Sequence, residues 1–79
     1  MTSEKQLILF NDSEHNFDYV YATLLKEVHP YGFQQAEQLV TIAHYTGKAS
    51  IKEGDIMELI EIQEKLFKYG LKTEITSLT

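Results

Sequence analysis

Apolar residues follow three rhythms along this 79-residue chain, continuous, helical and alternating, and each change of rhythm falls on a residue suited to begin or end an element. Residues 7–10 (LILF) are a continuous apolar run bounded by polar positions, which predicts a strand buried on both faces or at the centre of a sheet. Residues 11–16 (NDSEHN) are all polar and rich in side chains that bond their own backbone, so they are expected to form a loop. Asn16 is placed to cap a helix that has Asp18 in its first turn. Phe17, Val20, Tyr21, Leu24 and Val28 then keep the three-and-four spacing of one helix face. His29 and Pro30 end this helix, because proline disfavours helical geometry in the residue before it, and Tyr31 with Gly32 makes the turn.

A second helix carries Ala36, Leu39, Val40 and Ala43 on one stripe, with His44 one turn after Val40 on the same side. Gly47 stops it in the left-handed capping position. Residues 48–53 alternate, with Ala49 and Ile51 sharing a face, and predict a second strand. Gly54 and Asp55 open a third helix, where Asp55 and Glu58 form a capping box with Asp in place of Ser or Thr. The stripe expected on this helix is Ile56, Leu59, Ile60, Leu66 and Phe67. Tyr69, Gly70 and Leu71 repeat the helix-stop signal, and Leu71, Thr73 and Ile75 alternate as a closing strand. The order β-α-α-β-α-β predicts a compact α+β sandwich with the helices packed on a three-stranded antiparallel sheet. Residues 1–5 are expected to be a short polar tail and residues 6–79 one domain.

Composition narrows the function. An apolar content of 43%, with five tyrosines and four phenylalanines, suffices for a core in a chain of this size. The absence of cysteine removes disulfides, thiol nucleophiles and thiolate metal sites. The formal charge is −5 and the seven basic residues are scattered lysines, which argues against binding a phosphate backbone, so nucleic acid is not an expected partner. No apolar run approaches the roughly 20 residues that cross a bilayer, so no membrane is expected and a cytoplasmic location is the default.

Three kinds of chemistry deserve weighing. For catalysis, Asp12 and His44 resemble a base and its orienting group, but the nearby hydroxyls of Ser13 and Thr46 sit in no strained elbow or oxyanion-hole motif. The plainer reading, loop and turn residues, is preferred, and the chain is not expected to be an enzyme. For metal, His15, His29, His44 and Asp12 lack a ligand-pair spacing such as HExxH, so no metal and no cofactor are expected. For binding, Asn11, Asp12 and His44, if the fold joins them, make an acceptor-rich cluster beside apolar walls. Such a cluster suits a cation carried on an apolar group. By spacing alone His44 is more readily a satisfied core histidine, and Phe17, Val20 and Val40 are core.

The strand end LILFND, the helix opening FDYV, the segment QQAEQL, then HYTGKA and a last helix closing in YGL resemble, in this order and spacing, the ClpS family of adaptors of the bacterial Clp AAA+ protease. The likeness spans about residues 6 to 76. It implies an adaptor that binds the free α-amino group and large hydrophobic first side chain of proteins with destabilising N-termini and hands them to a Clp-family AAA+ unfoldase. Asn11, Asp12 and His44 match the positions that hold the α-amino group. Phe17, Val20, Val40 and Ala43 match the side-chain pocket, and His15 falls at a polar pocket edge where threonine is frequent.

Departures from the family pattern carry expectations too. Ser13 replaces a second aspartate, which leaves the pocket mouth one charge less negative. Phe17 stands where methionine is frequent, Val40 where methionine or another large apolar residue is frequent, and Ala43 where valine is frequent, which implies a narrower mouth and a roomier floor. About six residues precede Leu7, where members often carry a longer flexible extension. The alternative is a protein-interaction or regulatory module of the same fold that has lost substrate delivery.

Overall fold

The computed structural model describes residues 4–11, 14–27 and 33–78 of the chain. Their elements run β1 (Lys5–Phe10), α1 (Phe17–Glu27), α2 (Phe33–Thr46), β2 (Lys48–Gly54), α3 (Ile56–Lys68) and β3 (Thr73–Ser77), the α+β order expected from the sequence. The sheet order is β2-β1-β3, with both pairs antiparallel, so β1 is the central strand. β2 and β3 flank β1 on opposite sides, and α3 carries the chain from one edge to the other.

Pairing of β1 with β2 shifts register between Leu7 and Ile8, where Leu7 faces Lys52 but Ile8 faces Ser50, so β2 holds one extra residue. Burial along β1 alternates rather than running through. Leu7 and Leu9 are buried beneath the helices, while Ile8 and Phe10 on the other face are half-buried. The core cluster joins Leu7, Leu9, Ala49 and Ile51 of the sheet to Leu24 of α1, Val40 and Ala43 of α2, and Leu59, Ile62 and Leu66 of α3. Val28, His29, Pro30, Tyr31 and Gly32, read as the end of α1 and the following turn, lie outside the described residues.

The element boundaries follow local chemistry. Asn16 caps α1, its side-chain oxygen accepting the Tyr19 N–H at 2.8 Å. Gly47 ends α2 at φ 95°, a conformation that costs glycine little. Asp55 caps α3 by accepting the Glu58 N–H at 3.0 Å, and the Glu58 carboxylate lies 3.5 Å from Lys52. Replacing Asp55 with alanine is expected to cost about 0.5–2 kcal/mol of stability, readable as a lower urea midpoint with an unchanged slope. At the other end of α3, Gly70 (φ 82°) donates to Phe67 O at 2.9 Å and Leu71 donates to Leu66 O at 3.1 Å, a Schellman pair that turns Leu71 back into the core.

One expected face is corrected. α3 buries Leu59, Ile62 and Leu66, whereas Ile56 is 45% and Phe67 is 77% exposed. The sequence offers two adjoining apolar stripes on this helix, and the sheet covers the one that carries Ile62. Among the described residues no helix is long and apolar enough to cross a membrane.

Candidate functional site

The last turn of α2 and the end of β1 are fastened together by backbone. The Asn11 N–H donates to Gly47 O at 2.9 Å, just after the Gly47 N–H has closed α2 on Ala43 O at 2.9 Å. On the other side of β1 the Phe10 N–H donates to Lys72 O at 3.0 Å, which draws in the segment before β3. These bonds bring Asn11, His44 and Leu71 to the rim and wall of one cavity, although 33 and 27 residues of chain separate them in turn.

The cavity has a volume of about 400 Å³, within the range of small-ligand sites. β1 and its end contribute Leu9, Phe10 and Asn11. The entry to α1 contributes His15, Asn16, Phe17 and Val20, α2 contributes Val40, Ala43 and His44, and Leu71 completes the lining. Seven of the eight residues singled out in the sequence therefore meet here: Asn11, His15, Phe17, Val20, Val40, Ala43 and His44. The eighth, Asp12, lies outside the described residues.

Two core assignments made from spacing are overturned. His44 is exposed on the last turn of α2, where its ring meets Tyr45 edge-on at 5.3 Å, rather than being a satisfied core residue. Phe17 is 36% exposed at the rim, its ring stacked with Tyr21 at 6.2 Å. Val40 and Ala43 are almost wholly buried, so they form the deep wall. Leu9, Phe10, Asn16 and Leu71 were not anticipated. For Leu71 the signal was present in Gly70, since a left-handed glycine after a helix returns the next residue toward the core.

The polar groups at this cavity can present acceptors to a ligand. Asn11 offers a side-chain carbonyl, a neutral imidazole at His44 offers a ring nitrogen, and the C-terminal end of α2 adds the partial negative charge of its carbonyls. Lys26, farther along α1, is held above the ordinary lysine range by the Tyr69 hydroxyl and then by the Glu27 carboxylate, so it stays charged near neutrality. Among the described residues no group of three or more His, Asp or Glu side chains could hold a metal ion. A larger, more open groove of about 870 Å³ lies between α3 and residues 70–73. Its charges, Glu14, Glu64, Lys68 and Lys72, are of both signs, and neither Asn11 nor His44 reaches it.

Compared with known proteins, residues 2–74 match the family model described as ATP-dependent Clp protease adaptor protein ClpS. No curated protein matches the chain.

Proposed function

The chain belongs to the ClpS family of Clp protease adaptors, and from that premise we propose that it binds the free N-terminus of proteins marked for degradation by a large hydrophobic first residue. The adaptor then passes the bound protein to a Clp AAA+ unfoldase, with no chemistry at the site. The observation that supports this reading is the meeting of Asn11 and His44 with Phe17, Val20, Val40 and Ala43 around one cavity.

An α-amino group has a pKa near 8 and is mostly an ammonium at pH 7, with three donors to satisfy. The Asn11 carbonyl and a neutral His44 nitrogen supply two acceptors, and the carboxylate of Asp12, next in the chain, supplies the third and the countercharge. An internal peptide group has one uncharged donor and brings chain on both sides, so the site selects a terminus. Burying a Leu or Phe side chain gains about 1.5–3 kcal/mol, and each charge-assisted hydrogen bond about 1.5–3 more, before the costs of association. The sum is compatible with binding near about −8 kcal/mol, or micromolar.

The proposal makes His44 an acceptor, which a lysine in its place cannot be. His44→Lys is therefore expected to weaken binding of a Phe-initial peptide by about tenfold or more, whereas His44→Gln, which keeps an uncharged acceptor, should retain most of it. Fluorescence anisotropy titrations at constant ionic strength measure both. Equal affinity in the wild-type protein and His44→Lys would remove His44 from the set of acceptors.

A further inference from the structure

We propose that His15 is a specificity-determining wall of this cavity, fixed in place by Tyr19 and by the bare backbone of Gly70, and that it favours an aromatic ring as the first side chain of the substrate. The proposal rests on the N-terminus-binding reading and refines it.

His15 stands in the loop before α1 and is half-buried at the cavity. Its ring stacks on that of Tyr19, with centroids 5.1 Å apart and planes 26° from parallel. Tyr19 does not line the cavity, but it is anchored behind His15 because its hydroxyl donates to Tyr69 O at 2.7 Å. The Tyr69 hydroxyl in turn donates to Glu27 at 2.7 Å. Two tyrosine hydroxyls thus tie the turn at the end of α3 to both ends of α1.

On that turn, Gly70 presents no side chain to His15. A Cβ at position 70 would lie 3.0 Å from His15 Nε2 and 3.3 Å from Cε1, so the edge of the imidazole occupies the space that a side chain would claim. One face of the ring is set by Tyr19 and one edge by Gly70. A side chain held on two sides is a wall rather than a mobile rim, and the ordering cost of holding it has been met before any ligand arrives.

The neighbouring rim repeats the device. Phe17, two residues on, stacks with Tyr21 at 6.2 Å, so rings at 15 and 17 are each backed by a tyrosine four residues later. With His44, these rings border a cavity whose deep wall, at Val40 and Ala43, is aliphatic. An aromatic first residue finds partners for offset or edge-to-face packing, whereas leucine or isoleucine gains only from burial.

Tyr19 is then a positioning residue, acting through His15. The test compares free-amino peptides beginning with Phe and with Leu, otherwise identical, against the wild-type protein and the variants His15→Thr, Tyr19→Leu and Tyr19→Phe. The readout is the ratio of the two affinities, which a general loss of stability does not move. In His15→Thr and Tyr19→Leu the preference for Phe over Leu is expected to drop roughly threefold to tenfold relative to wild type. Tyr19→Phe keeps a ring behind His15 but loses its anchoring bond to Tyr69 O, so its ratio should fall between those of the wild type and Tyr19→Leu. A ratio unchanged in His15→Thr, or equal losses for both peptides, overturns the role of His15 while leaving the N-terminus reading intact. Failure of the wild-type protein to bind either peptide sinks that reading and this proposal with it.

Discussion

Acetylating the first residue of a Phe-initial peptide is expected to weaken its binding to this protein by at least about a hundredfold. The modification leaves the hydrophobic side chain untouched, so the loss isolates the polar half of the site. An acetylated terminus has one amide N–H in place of three charged donors. If the ammonium is shared among Asn11, Asp12 and His44, two charge-assisted bonds vanish, each worth about 1.5–3 kcal/mol, and the carboxylate loses its countercharge. The acetyl group also adds bulk beside the end of α2, where Asn11 is held to Gly47 by a backbone bond and has little freedom to retreat. Anisotropy with paired peptides of equal length measures the effect. Equal affinity for the two forms would reject recognition of the terminus, whatever the side-chain pocket does.

Much of the architecture was legible because element ends are governed by local chemistry. Asn16, Gly47, Asp55 and Gly70 each act through contacts within a few residues, and each does in the fold what its type suggested in the sequence. The face of α3 was not legible in the same way. Ile56, Ile60 and Phe67 make as good a stripe as Leu59, Ile62 and Leu66, and only the placement of the sheet and α1 decides which is covered.

His44 shows the same limit at the site. It shares a side of α2 with Val40, yet it is exposed because the bond between Asn11 and Gly47 sets the end of β1 beside the last turn of α2 and leaves a cavity there. Spacing along one helix cannot report what covers it. The likeness to a family, carried by five short segments taken together, supplied the convergence that spacing could not. It did not extend to Leu71, whose place depends on the reversal at Gly70.

Ala43→Leu is expected to weaken binding of Phe-initial peptides by roughly tenfold to a hundredfold while changing stability by less than about 1 kcal/mol. Ala43 is 3% exposed and lines the deep wall of the cavity, on a helix whose end is fixed by the Gly47 N–H bonded to its carbonyl. Leucine suits a helix nearly as well as alanine, so the backbone has no reason to move. The added side chain has two places to go. Driving it among the close-packed core residues costs about 1–3 kcal/mol, whereas the cavity of about 400 Å³ beside it is open to it without strain. Leucine therefore fills the space that a substrate's first side chain requires, and the hydrophobic share of the binding energy is lost. A peptide beginning with alanine needs little of that space and should lose far less, so the ratio between the two peptides separates a blocked pocket from a damaged fold. Unchanged binding of the Phe-initial peptide, in a variant with a wild-type urea midpoint, would mean that the first side chain does not enter between Val40 and Ala43.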